Sequence, residues 1–184
     1  MGQALASRVA GGYTLAETLV VVSLLAVMAA VALPSLGTLD LQRLDVAAAE
    51  VRNALRLARS EAMRLNTNVL VDMGSAAGHV KLYKGSCGAS STAIIDPRSK
   101  RAFDVDVAGG PYSGGVTLTP QFMAAGTAYN GLVFASSGVP TDVCQLPAAA
   151  SQGAPQAGSQ VLLSYGGSQL AVAIAPATGR VWGP

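Results

Sequence analysis

The 184-residue sequence predicts an α+β protein: a long N-terminal helix, membrane-spanning in its first part, packed on a C-terminal β-sheet domain. Three observations carry this expectation. Thr18 to Leu39 is a run of 22 residues without a charge, longer than the about 20 a helix needs to cross a hydrocarbon core. From Leu44 to Leu65 apolar residues recur at spacings of three and four, one stripe of an amphipathic helix. Beyond Asn66 the chain breaks into short β-rich segments bounded by Gly, Pro and Ser. Composition agrees: 51% of residues are hydrophobic, and the net charge of +2 carries no bulk signature of a polyanionic partner.

Taken in order, residues 1–12 (MGQALASRVAGG) read as a short leader whose basic side chain is Arg8. Residues 13–39 follow as the transmembrane segment. The positive end stays cytoplasmic, so the C-terminal bulk is expected outside. Two rivals stand beside this reading, a plain single-span anchor and a secretory signal peptide cut near Ala29, Ala30 and Ala32. The apolar run exceeds the 7–15 residues usual for a signal core. Glu17 sits near the start of the segment, where a carboxylate either needs a partner or lies among the lipid headgroups. Pro34 removes a backbone donor and is expected to kink or locally melt the helix.

Residues 40–65 form the amphipathic part of the same helix. Its stripe is Leu44, Ala48, Val51, Leu55, Ala58, Ala62 and Leu65, with Arg43, Glu50, Arg52, Asn53, Arg56 and Arg64 off it. The small alanines predict close packing on a sheet, and three Ala-rich heptads make a poor coiled coil. Arg52, Arg56 and Arg59 share a face, but Asp45, Glu50 and Glu61 are interspersed. A solvated or intersubunit ion-pair surface therefore fits better than a nucleic-acid contact. Asn66, Thr67 and Asn68 end the helix.

Residues 66–184 form the β-rich head domain. Strands are expected in NVLVDMG, HVKLYKG, AFDVDVAG, GVTLTP, GLVFASSG, QVLLSYGG and QLAVAIAP, the last two joined as a hairpin through Gly166-Gly167. The stretch from Leu146 to Ser159 reads as a loop without a core face. The two cysteines, Cys87 and Cys144, lack neighbours at zinc-ligand spacing. They form a disulfide if the domain lies outside the cytoplasm, and otherwise two inert buried thiols.

No catalytic constellation emerges, and no cofactor or metal is expected. His79 is the only histidine and reads as a surface residue. Asp104 and Asp106 share a strand face, which reads as solvated rather than cation-binding. Neither a nucleophile elbow nor a phosphate loop is present.

The stretch from Gly12 through Tyr13-Thr14-Leu15-Ala16-Glu17 to Pro34 resembles the N-terminal signature of type IV pilins. That resemblance implies cleavage between Gly12 and Tyr13 by a prepilin peptidase, which then N-methylates Tyr13. Most members begin with Phe, so Tyr13 is a conservative departure. It further implies that Glu17 meets the N-terminal amino group of another subunit during assembly, and that Pro34 marks the flexible middle of the stem. Arg59-Ser60-Glu61-Ala62, Phe134 to Gly138 and Gly179-Arg180 then resemble, in order, the GspH/FimT branch of pilin-like proteins.

The implied role is a minor pilin or pseudopilin, a structural subunit of a type IV pilus or a type II secretion pseudopilus rather than an enzyme. Its implied partners are other pilin subunits, the peptidase and the inner membrane, with the head in the periplasm. Some FimT-like proteins bind DNA through a C-terminal Gly-Arg-x-Arg motif. Here Gly179-Arg180-Val181-Trp182 lacks the second arginine, although Trp182 could stack on a base. DNA uptake is thus the alternative function.

Overall fold

The computed structural model describes residues 13–32, 35–88, 91–148 and 150–183, with the side chains of residues 30–39 excepted. The chain divides into two units, residues 1–39 and 40–184.

Helix α1 (Leu15–Ala32) has 18 residues, a length of about 27 Å at 1.5 Å per residue. Among the described residues no helix is long and apolar enough to cross a membrane. The segment expected to span, residues 13–39, runs on through residues 33 and 34. Those two, Pro34 among them, and the leader with Gly12 lie outside the described residues.

Helix α2 (Ser35–Leu65) has 31 residues. From Asp40 onward it buries Leu44, Ala47, Ala48, Val51, Ala54, Leu55, Ala58 and Ala62. This stripe is wider than expected by Ala47 and Ala54, whereas Leu65, assigned to it from sequence, is only half-buried. Five of the eight are alanine, so little side chain separates the helix backbone from the residues it covers. Asn66 then takes a left-handed φ of 48°. Asn66 N–H donates to Met63 O at 3.4 Å and Thr67 N–H to Ala62 O at 3.2 Å, which satisfies carbonyls left open by the helix end.

The remaining chain forms β1 (Val69–Asp72), β2 (His79–Lys84), β3 (Thr92–Ala93), β4 (Asp104–Asp106), β5 (Thr117–Ala124), β6 (Thr127–Tyr129), β7 (Gly131–Phe134), β8 (Pro140–Gln145), β9 (Ala150–Ser151), β10 (Gln160–Tyr165), β11 (Ser168–Ile174) and β12 (Val181–Trp182). They build two antiparallel sheets rather than one. The first runs β3-β2-β1-β7-β8-β9, with β4 also paired to β2; the second runs β12-β11-β10-β5-β6.

The core explains this split. Val69, Val71, Leu82, Leu132 and Phe134 of the first sheet and Phe122, Val161, Leu163 and Val172 of the second join the α2 stripe in one buried cluster. The opposite face of the first sheet packs separately, with Leu70, Val133, Cys144 and Leu146 in a second cluster. Strands β1 and β7 are therefore covered on both sides, and each is buried at all four positions. That accounts for their continuous apolar sequences.

The β10–β11 hairpin forms as expected, with Tyr165 opposite Ser168. Gly166 and Gly167 both take positive φ, 58° and 84°, as a two-residue turn of this kind requires. The supposed loop from Leu146 to Ser159 differs from expectation. Leu146 is buried in the second cluster, and β9 pairs with β8. Asn130 holds this segment in place: Leu146 N–H donates to its Oδ1 at 2.6 Å, and its Nδ2 donates to Leu146 O at 3.0 Å.

Candidate functional site

The first unit offers an apolar surface with a polar head. Thr14 precedes α1 and accepts the Glu17 N–H at Oγ1 (3.3 Å) and at its carbonyl (3.0 Å). Thr14-x-x-Glu17 thus has the spacing of a capping box, with the acidic residue in the first turn where the helix dipole favours it. This local reason for a carboxylate at position 17 was visible in the sequence and needs no partner. Tyr13 is 84% exposed. Tyr13, Glu17, Thr18, Val21 and Val22 line an open hollow of about 380 Å³. Leu15, Leu19, Val20, Val21, Val22, Leu24, Leu25, Val27 and Met28 are all exposed, so among its described side chains α1 has no covered side.

In the second unit, the three later sequence motifs meet at one place. Gly138, in the turn between β7 and β8, has φ +77°, and Gly179, in the turn before β12, has φ +66°. A Cβ on Gly179 would lie 2.2 Å from Gly138 O and 3.2 Å from Phe134 Cε1. A Cβ on Gly138 would lie 2.9 Å from Met63 Sδ and 3.1 Å from Arg59 Nε. The end of α2, the first sheet and the second sheet therefore touch where a side chain would not fit. The Phe-x-x-x-Gly and Gly-Arg motifs are, in this chain, the contact that locks the two sheets to the helix. Arg59 Nε is buried there and makes no hydrogen bond among the described residues.

The arginine face of α2 is not simply solvated. Arg52 Nη1 donates to Gly183 O at 3.1 Å, and Arg56 Nη2 to Val181 O at 3.4 Å. Both guanidinium groups tie α2 to the C-terminal strand. In that strand Val181 points inward, while Arg180 and Trp182 are exposed, Trp182 by 47%. Trp182 thus leaves much of its ring uncovered.

Cys87 and Cys144 are bonded, with Cα atoms 6.0 Å apart across 57 residues. The bond fastens the segment after β2 to β8, against the second apolar cluster.

His79 is not a lone surface residue. Its Nδ1 lies 2.7 Å from Asp104 Oδ1, and its Nε2 lies 3.8 Å from Asp106 Oδ1, because β2 and β4 pair with His79 opposite Asp106. Lys81 Nζ adds a contact to Asp104 at 3.8 Å. All are partly exposed, and together they form a polar cluster that joins β2 to β4. Among the described residues no group of three or more His, Cys, Asp or Glu is placed to hold a metal ion.

A helix laid on antiparallel sheets and preceded by an uncovered apolar helix defines a pilin-like protein. The chain belongs to the GspH family, described as type II transport protein GspH, whose family model matches residues 47–178. Among solved structures, the type IV minor pilin FimU of Pseudomonas aeruginosa strain PAO1 in space group P21 is similar in fold. The TM-score is 0.51 at 17% identity, covering 77% of this chain and 87% of that one. The same protein in space group P65 gives 0.49 at 16% identity, covering 77% and 92%. No curated protein matches the chain.

Proposed function

We propose that this member of the GspH family is a minor pilin or pseudopilin, a filament subunit held in the inner membrane before assembly. The observation that carries the reading is α1. Nine large apolar side chains stand more than half exposed around it. Burying each is worth about 1.5–3 kcal/mol, so water is not their working environment. Lipid before assembly, and the matching helices of other subunits afterwards, supply the cover. Thr18 to Leu39, uncharged throughout, supports a span longer than α1 itself.

Cleavage after Gly12 would place a new amino group on Tyr13, four residues from Glu17. Intersubunit pairing of these two charges would offset the cost of keeping a carboxylate in an apolar filament core. Localisation of residues 40–184 to the periplasm agrees with the Cys87–Cys144 bond. The FimU likeness supports a type IV pilus and the family description a type II secretion system. Loss of piliation against loss of exoprotein release in a deletion strain discriminates the two.

Mass spectrometry of the membrane-extracted chain tests the reading. The expected N-terminus is N-methyl-Tyr13; a chain that begins at Met1, or beyond Ala32, overturns it.

Exposure of both Arg180 and Trp182 on one side of β12 favours a second reading, DNA binding for uptake. Electrophoretic retardation of single- and double-stranded DNA by residues 40–184, lost in Arg180→Ala, would support it. No retardation at low salt would sink it, since phosphate contacts are strongest there.

A further inference from the structure

The tip of the β10–β11 hairpin sits where the uncharged N-terminal run ends. Leu39 closes that run, and Asp40 is the first charged residue after Glu17. A Cβ on Gly166 would lie 2.8 Å from Asp40 Oδ2, so the turn packs against the first charge of α2. Arg43, one helical turn on, donates from Nη1 to the Tyr165 hydroxyl at 2.5 Å. Its guanidinium carbon lies 5.1 Å from the centre of the Tyr165 ring. These contacts, all within residues 40–184, hold the tip beside residues 40–43. The outer side of the turn is open, since a Cβ on Gly167 would meet nothing within 4 Å.

The chemistry of this end is that of a lipid interface. Residues 165–169 at the tip carry no charge. Neither does the adjoining turn of residues 111–115, where a Cβ on Gly115 would lie 3.1 Å from the Tyr165 ring. That turn exposes Tyr112 by 75%, and Leu41 at the start of α2 is 52% exposed. Tyrosines, and an arginine with donors to spare, are the side chains that settle at headgroup level. The charged residues of this part of α2 are Asp40, Arg43 and Asp45, the last two exposed. One cation between two carboxylates suits a zwitterionic headgroup, which offers both a phosphate and an ammonium.

We propose that the β10–β11 tip and residues 41–43 of α2 rest in the zwitterionic headgroup layer of the membrane, with Arg43 donating to lipid phosphate. This rests on the reading of α1 as embedded in lipid, and adds a contact made by residues 40–184. Asp40 is the first residue that a hydrocarbon core would reject, and the hairpin is fastened to it. The turn between β5 and β6 lies at the other end of the sheet. Thr117 stands opposite Ser164 near the tip, and β5 then runs eight residues away from it, about 26 Å at 3.3 Å per residue.

The test places the full chain in nanodiscs of phosphatidylethanolamine and phosphatidylcholine doped with a nickel-chelating lipid. Nitroxide is attached singly at Ser168→Cys on the tip, Thr127→Cys on the far turn and Leu24→Cys on α1. The native cysteines are bonded to each other and do not take the label. Relaxation enhancement by the headgroup nickel should be at least five-fold greater at position 168 than at 127. Arg43→Gln should lower the value at 168 at least two-fold. Enhancement at 168 no greater than at 127, or indifferent to Arg43→Gln, overturns the proposal. The label at position 24 separates this failure from failure of the α1 reading. Broadening there by oxygen above that by an aqueous nickel chelate puts α1 in lipid, whatever position 168 shows. The reverse order at position 24 overturns both.

Discussion

Helices α1 and α2 are both rich in Ala, Val and Leu, yet they solve opposite problems. The apolar side chains of α1 cover its whole circumference and stay exposed, Leu19 and Val22 at 64% and Met28 at 70%. On α2 a single stripe from Leu44 to Ala62 is buried to 0 or 1%, while Leu41 and Met63 off that stripe stay exposed. The difference lies in periodicity rather than in apolar content. A helix apolar all round can be satisfied only by a surrounding that is also apolar all round, whereas a striped helix completes a core of its own. One helix therefore belongs to an environment and the other to a domain. Perturbations should separate them.

The largest separation is expected on reduction of the Cys87–Cys144 bond. Opening a 57-residue loop should cost residues 40–184 about 4 kcal/mol on the chain-entropy account. The helicity of α1 in micelles should not change. Denaturant titration with and without reductant measures the first, and far-UV circular dichroism the second. A loss below 1 kcal/mol would mean that the packing of Cys144, not the crosslink, holds this part of the head.

Next comes a matched pair of truncations. Leu55→Ala removes a fully buried side chain from the stripe and should cost about 3 kcal/mol. Leu24→Ala, at a position 59% exposed, should leave the melting of residues 40–184 unchanged. Equal effects would show that the two helices are stabilised in the same way. Gly179→Ala should follow at about 2 kcal/mol, combining the left-handed backbone with a Cβ 2.2 Å from Gly138 O. Thermal melting decides it, and a change under 0.5 kcal/mol would mean that the turn yields without strain.

The same contrast shows what could be read in the chain beforehand. Both helices were legible because each obeys one simple rule, no charge for 22 residues or apolar spacings of three and four. The longer strands were legible by their β-branched alternation. Strands β3, β9 and β12 have only two residues each, too few to show a period. Strand β8 begins at a proline and is only partly apolar. The Phe134–Gly138 and Gly179-Arg180 motifs could be located but not understood. Their meaning is a contact between turns about forty residues apart, and spacing in sequence carries no trace of it. His79 looked isolated for the same reason, since its partners Asp104 and Asp106 arrive through strand pairing.

The smallest effect concerns Glu50, the acidic residue of α2 that lines a groove beside residues 94–105. Burial raises its pKa first, and the nearby Asp106 carboxylate adds to the rise, while the hydrogen bond donated by Ser113 Oγ at 3.3 Å opposes it. A carboxyl whose pKa is higher folded than unfolded binds its proton more tightly in the native state. Its contribution is therefore lost as pH rises from the ordinary glutamate range through the raised value. Asp96 has the opposite sign: its turn hydrogen bonds, led by the Arg98 N–H, lower its pKa, so its contribution is lost as pH falls. Glu50→Gln should remove the first dependence and keep the second. Above the raised value the variant should be the more stable, by less than about 0.5 kcal/mol after solvent screening. Urea midpoints of residues 40–184 across the acidic range measure the difference. Parallel curves for variant and parent would show that Glu50 stays hydrated, and that this flank of α2 is as open to water as α1 is to its surroundings.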